Sequence, residues 1–335
     1  MTTTAVSTTK TLTVVGIGPV ELTVDEYGDG QPFLVLHGGA GQQSVARFAR
    51  LLADRDRNQV LAPTHPGFGG TPRPDRLNSV ARLAALYSGL LDDLGLEDVT
   101  VIGNSVGGWI AAELALLGSP RLSRIVLLDA VGIGVEDHPV ANISGLSLPE
   151  IQALSFHDPT PFRVDPASIP DAQKAILAAN GAALAVYVGS PAMADPTLLG
   201  RLTGISIPTL VLWGESDQIV KPAYGQAYAA AIHGARFEVL SATGHMPQME
   251  TPDLVLQTIW EWCQGHTRTN LIELTRVQPF EAEVTAARLH AFGIEATIGA
   301  GSVYGSVSFA EGVPVLVSAD DAPRARALLE TGRGS

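Results

Sequence analysis

A serine between glycines, Gly103-Asn104-Ser105-Val106-Gly107, follows the apolar run 99–102 and opens a helical stretch that begins at Val106. On a tight strand-to-helix turn, a serine points its hydroxyl away from the sheet. The strained backbone there admits little bulk on either side, hence the glycines. The following helix aims its first N–H groups at the same spot and favours negative charge developing there. A hydroxyl is a weak nucleophile and needs a base, with a third group behind the base. His245, in Gly244-His245-Met246, follows the strand-like run 237–240. Asp217, in Trp213-Gly214-Glu215-Ser216-Asp217, follows the run 209–213. His245 would take the proton of Ser105 and return it to a leaving group, while Asp217 would fix the imidazole tautomer and stabilise its cation. Asp129, at the end of the run 125–129, is an alternative acid, and Glu215 is a weaker one. His37 and His65 also sit on loops after strand-like runs, but their order in the chain is wrong for the base. Structural hydrogen bonding is expected of both.

A third element is His37-Gly38-Gly39-Ala40-Gly41, after the run 33–36. Small residues let backbone N–H groups approach a reacting atom closely. The N–H groups of Gly39 and Val106 are the predicted oxyanion donors, usually the largest electrostatic contribution to acyl transfer. A glycine-rich turn would show the same letters, and only the pairing with the serine turn gives them this role. Neither a metal nor a cofactor is expected.

These residues need a frame that brings distant loops together. Strand-like runs occur at 12–15, 20–25, 33–37, 60–62, 99–103, 125–129, 209–213 and 237–240. The last five are near-continuous Val/Ile/Leu, as for strands buried on both faces of a parallel sheet. Helical patterns at 44–54, 80–94, 106–117, 222–232 and 252–263 lie between and after them. The alternation predicts a doubly wound, mostly parallel α/β domain over 12–265. About 80 residues separate the runs ending at 129 and starting at 209, far more than a crossover requires. Short helices at 149–156, 167–179, 182–189 and 196–203 predict a helical cap at about 132–205. Its apolar residues Leu154, Phe156, Phe162, Tyr187 and Met193 either line a pocket or pack the cap itself. A polar joint at 264–269 precedes a unit of βαββα order at 270–331, read as a separate α+β domain. Residues 1–11 are threonine-rich and are expected to be disordered.

Composition bounds the rest. The 335 residues are 46% hydrophobic and 16% charged, enough for a large core. The net charge of -13 argues against a phosphate-binding face, so no nucleic-acid partner is expected. The single cysteine, Cys263, excludes an intramolecular disulfide and a cysteine-based zinc site, and it reads as a small core residue. No run of about 18 apolar residues occurs and residues 1–11 hold no apolar run of about 7–15 residues, so a cytoplasmic protein without a membrane partner is expected.

Taken together, the HGG loop, His65-Pro66-Gly67-Phe68-Gly69-Gly70, the GNSVGG turn, WGESD and GHM resemble the α/β-hydrolase superfamily over roughly 20–264. The HGG and GNS variants are similar to bacterial carboxylesterases, and to hydrolases that cut carbon–carbon bonds in ring-cleavage products of aromatic catabolism. The resemblance implies a serine hydrolase acting on a small, apolar carboxylic ester. In the carbon–carbon group an Asn before the serine and an Arg from the cap hold an acidic substrate, and a Trp follows the histidine. Here Asn104 is present and Arg163 or Arg201 would be the cap residue, but Met246 stands in place of the Trp; the resemblance makes Gly38, Asn104 and Met246 the expected substrate contacts. The superfamily's haloalkane dehalogenases and epoxide hydrolases use Asp at the elbow, unlike this chain. A ligand sensor of the same fold is the non-catalytic alternative. The C-terminal unit resembles a small bacterial family of signal-transducing proteins, through Pro279-Phe280-Glu281-Ala282-Glu283, Phe292-Gly293-Ile294-Glu295-Ala296 and residues 315–326. Docking or homodimerisation is the expected role of that unit.

Overall fold

The Val/Ile/Leu runs become the inner strands of one eight-stranded sheet. Its strands are β1 (Val6–Val14), β2 (Gly18–Tyr27), β3 (Gln31–Leu36), β4 (Asn58–Pro63), β5 (Val99–Asn104), β6 (Leu122–Leu128), β7 (Thr209–Gly214) and β8 (Arg236–Leu240). Their order is β1-β2-β4-β3-β5-β6-β7-β8, parallel from β4 to β8 and antiparallel where β2 meets β1 and β4. The computed structural model describes residues 3–55, 57–189, 193–265, 271–292, 294, 296–298, 312–318 and 322–330. The chain forms two compact units, Met1–Trp260 and Glu261–Ser335.

Helices α1 (Gln43–Ala53), α2 (Val80–Asp93) and α3 (Val106–Leu116) follow β3, β4 and β5. Every residue of β5, β6 and β7 is buried, as continuous apolar runs require. Helix α3 is buried from Val106 to Ala115, so it lacks the polar face of a surface helix. The cap comprises α4 (Leu148–Ser155), α5 (Asp171–Val188), α6 (Leu198–Arg201) and three single 3₁₀ turns. Helices α7 (Pro222–Ala231), α8 (Pro247–Glu250) and α9 (Pro252–Gly265) follow in the chain.

Four expectations are corrected. The N-terminal segment is ordered from Val6, because alternating Thr and Val pair with β2 in register from Val6↔Glu26 to Val14↔Gly18 and bury Leu12 and Val14. The helices expected at 167–179 and 182–189 form one helix, α5. A glycine at 181 costs about 1 kcal/mol against alanine, too little to break an Ala/Leu-rich run. Strand β8 lies at the sheet edge, pairing among the described residues only with β7, so Val239 is 46% exposed rather than sandwiched. Cys263 is half-buried, not a core residue.

The second unit runs β9 (Leu271–Val277), α10 (Pro279–Ala291), β10 (Ala296–Ile298), β11 (Val313–Ser318) and α11 (Ala322–Glu330), with antiparallel sheet order β10-β11-β9. Its own core holds Ala282, Leu289, Ile294, Val315 and Ala325. The division between units falls inside α9, ahead of the polar joint; residues 266–270 of that joint lie outside the described residues. Among the described residues, no helix is long and apolar enough to cross a membrane.

The large core of the first unit is drawn from Leu12 to Ile232. A chain ending at Gly265 is therefore expected to stay soluble and unfold in one cooperative thermal transition. A truncation with no sharp transition in circular dichroism would show that the two units do not fold independently.

Candidate active site

Four strand ends converge. Ser105 caps α3 directly after β5 with φ +55° and ψ -117°, the strained turn its flanking glycines anticipate. A Cβ at Gly107 would stand 2.2 Å from the carbonyl oxygen of Leu36, so only glycine lets α3 seat against the end of β3. From the loop after β7, Asp217 is fully buried. Its Oδ2 accepts from Nδ1 of His245 at 2.8 Å, and its Oδ1 accepts from the N–H groups of Ile219 (2.8 Å) and Val220 (2.9 Å). The carboxylate is thereby aimed at the ring, and with Nδ1 engaged, Nε2 is the nitrogen free to take a proton. Among the described residues, no hydrogen bond joins Ser105 Oγ to that ring. Such contacts commonly tighten only around a reacting substrate.

The structure brings the two acid candidates together. Asp129, at φ +46° just after β6, accepts from the N–H of Gly214 at 2.8 Å and does not touch His245 through a hydrogen bond. Burial, and then the charge of Asp217, hold its carboxyl well above the usual range. Glu215 instead accepts from the N–H of Ala242 at 3.2 Å.

Among the described residues, no backbone carbonyl accepts from the N–H groups of Gly39 and Val106, the two expected oxyanion donors. The loop before them is held by His37 and His65. Nδ1 of His37 donates to the carbonyl of Gly38 (2.7 Å), and its Nε2 accepts from the N–H of His65 (3.1 Å). Nε2 of His65 donates to the carbonyl of His37 (2.9 Å), leaving its Nδ1 to accept from the hydroxyl of Tyr87. One neutral tautomer of each ring satisfies every partner, and a second proton on His37 would face the N–H of His65. Both rings are buried, and burial pushes His37 down to about 4. The unfolded ring ionises near 6.5, so the unfolded chain takes up the proton first as the pH falls. Stability present above pH 6.5 is lost between about 6.5 and 4, by about 3 kcal/mol for His37 alone. Urea midpoints measured across that window should fall, and in His37→Asn they should fall less.

The expected substrate contacts fare differently. Gly38 packs on the elbow, where a Cβ would lie 3.0 Å from Cβ of Ser105. Met246 lines a cavity of about 560 Å³ together with Ala40, Ile151, Phe156, Phe162 and Arg163. Asn104 is corrected. Its side chain is 1% exposed, donates to the carbonyls of His245 (3.0 Å) and Leu128 (3.3 Å), and accepts from Gln248 (3.2 Å). A short amide beside a strand end finds backbone carbonyls before it reaches a cavity, so Asn104 ties the elbow to the His245 loop. Arg201 is corrected too, since Glu113 and Asp195 engage its guanidinium at 2.7–2.8 Å. Of the apolar cap residues, Phe156 and Phe162 stack at 4.1 Å in the cavity wall, whereas Tyr187 donates to the carbonyl of Pro66 and serves packing. Met193 lines a second cavity with Leu184 and Val188, and Leu154 packs on the core.

Two anchors escaped sequence reasoning. Glu250 accepts from the N–H groups of Gly244 (2.7 Å), His157 (3.2 Å) and Asp158 (2.9 Å), and so pins the His245 loop to the cap. The carbonyl of Ser155, at the end of α4, accepts from the N–H of His245 at 2.7 Å. A glutamate five residues after a histidine is the only sequence signal of the first, and the second has none.

Residues 33–258 match the alpha/beta hydrolase family. The chain is 26% identical over 249 residues to a 2-hydroxy-6-oxo-2,4-heptadienoate hydrolase of Pseudomonas putida, covering 70% of this chain and 89% of that one. It is 30% identical over 247 residues to a 2-hydroxy-6-oxononadienedioate/2-hydroxy-6-oxononatrienedioate hydrolase of Cupriavidus pinatubonensis, covering 68% and 84%. A solved thermophilic esterase from Thermogutta terrifontis aligns with a TM-score of 0.61 at 27% identity, over 77% of this chain and 98% of that one. With a sheet of this order, and with a match across two thirds of its length, the chain belongs to the α/β-hydrolase family.

Proposed function

We propose that this enzyme is a serine hydrolase that cleaves a small, apolar carboxylic ester through an acyl-enzyme on Ser105. The observation that carries the reading is the buried Asp217–His245 pair at 2.8 Å, set at the ends of β7 and β8 beside a strained Ser105 turn. In this reading Ser105 Oγ attacks the ester carbonyl while Nε2 of His245 takes its proton. The N–H groups of Gly39 and Val106 receive the oxyanion, and the imidazolium then protonates the departing alcohol. Water activated by the same nitrogen releases the acid. The cavity beside Met246, whose lining combines Leu, Ile, Phe and Met side chains with Gln43, Gln152, Gln173 and Arg163, supports an acyl group that is apolar over part of its surface.

Carbon–carbon bond cleavage is the second reading, favoured by Arg163 in that same cavity and by the activities named for the relatives from Pseudomonas putida and Cupriavidus pinatubonensis. Against it stand the commitment of Asn104 to the His245 carbonyl and Met246 in place of a Trp. Turnover of p-nitrophenyl esters of increasing chain length, with a dienoate ring-cleavage product alongside, separates the two. Ester turnover is expected to exceed dienoate turnover; the reverse order would favour carbon–carbon cleavage. A ligand sensor would leave a fluorophosphonate probe unreacted, whereas the hydrolase is expected to be labelled at Ser105. For the second unit we propose docking or homodimerisation, which sedimentation of the full chain and the Gly265 truncation tests.

A further inference from the structure

Asp129 is a buried carboxyl that the proposed chemistry does not use. It stands fully buried just after β6, with its carboxyl, that of Asp217 and the His245 ring all within 4.8 Å of one another. Its Oδ1 accepts from the N–H of Gly214, and its Oδ2 is buried without a hydrogen-bond partner. The titratable groups that face it are Asp217, from the loop after β7, and His245, from the loop after β8. Both oxygens of Asp217 already accept, from Ile219, Val220 and His245, so its partners match the carboxylate form.

Two ionised carboxylates within 4.8 Å of each other and away from water repel strongly, and an unpaired buried oxygen adds a desolvation cost. A single proton removes both penalties. We propose that Asp129 stands as the neutral acid and donates its Oδ2 hydrogen to Asp217, a positioning residue that steadies the carboxylate behind His245. Burial and the Asp217 charge, which hold the Asp129 carboxyl well above its usual range, agree with this. The arrangement also leaves one negative charge, not two, beside the ring. The inference rests on the reading of Asp217 and His245 as acid and base.

An amide fits the same place. In Asp129→Asn the side-chain oxygen accepts from Gly214 and the NH₂ faces Asp217, so the donor persists without a titrating group. Asp129→Ala removes it. The expected result is kcat/KM within about threefold of wild type for Asp129→Asn. For Asp129→Ala, a fall of about 10- to 100-fold is expected, the loss of one hydrogen bond to a charged group. Infrared difference spectra of the full chain supply a readout that packing alone would not move. A protonated-carboxyl C=O band at neutral pH is expected in wild type and in Ser105→Ala, and should vanish in Asp129→Asn. No such band at neutral pH, or Asp129→Asn falling as far as Asp129→Ala, would overturn the proposal. If Asp129→Ala fails to fold, the band and the asparagine variant still decide. If the wild type turns over no ester, the catalytic reading fails while the band continues to report on Asp129.

Discussion

Ser105→Ala is expected to lower kcat for ester hydrolysis by about 10⁶-fold, the size seen when the nucleophile of a comparable triad is removed, and to abolish fluorophosphonate labelling. The fold should be untouched. The bonds Ser105 contributes to the structure are backbone ones: its N–H to the carbonyl of Leu128, and its own carbonyl accepting from Gly108, Trp109 and Val131. Alanine keeps all of them at the same positive φ, so the melting temperature should move by no more than a few degrees. Residual turnover would come from the two N–H groups and from binding alone. Activity within tenfold of wild type, with the melting temperature preserved, would remove Ser105 from the chemistry and leave the elbow a structural turn.

What the letters revealed and what they hid divides along a physical line. The elbow is legible because close approach restricts residue type: at Gly107 a side chain would collide with the end of β3, and at Gly38 it would crowd Ser105. The central strands are legible because burial on both faces demands unbroken Val, Ile and Leu. The identity of the acid is not legible in that way. Asp129 and Asp217 both follow strands of one sheet, and only the direction of a carboxylate, read at 2.8 Å from His245, separates them. Asn104 and Arg201 mislead for a related reason. Their residue types suit an acidic ligand, but protein partners stand nearer, the carbonyl of His245 for one and Glu113 for the other. Glu250 stayed hidden because its partners are backbone N–H groups, which every residue type supplies.

Asp217→Asn is expected to cost about 10⁴-fold in kcat, with KM little changed. The direction of the amide follows from what surrounds it. The N–H groups of Ile219 and Val220 both point at Oδ1, so the side-chain oxygen of asparagine must take that place. The NH₂ then occupies the Oδ2 position, facing Nδ1 of His245, where the native carboxylate accepts. A donor there obliges Nδ1 to accept, which moves the ring proton to Nε2. The nitrogen that should receive the serine proton is then already protonated, and the imidazolium formed in the transition state loses its counter-charge. Nitrogen NMR of the ring provides the check independent of turnover: the Nδ1–H tautomer in wild type should give way to Nε2–H in the variant. A variant that retains the Nδ1–H tautomer and hydrolyses esters within tenfold of wild type would show that Asp217 does not orient the base. The role of acid would then pass to Asp129, the other buried carboxyl within 4.8 Å of the cluster.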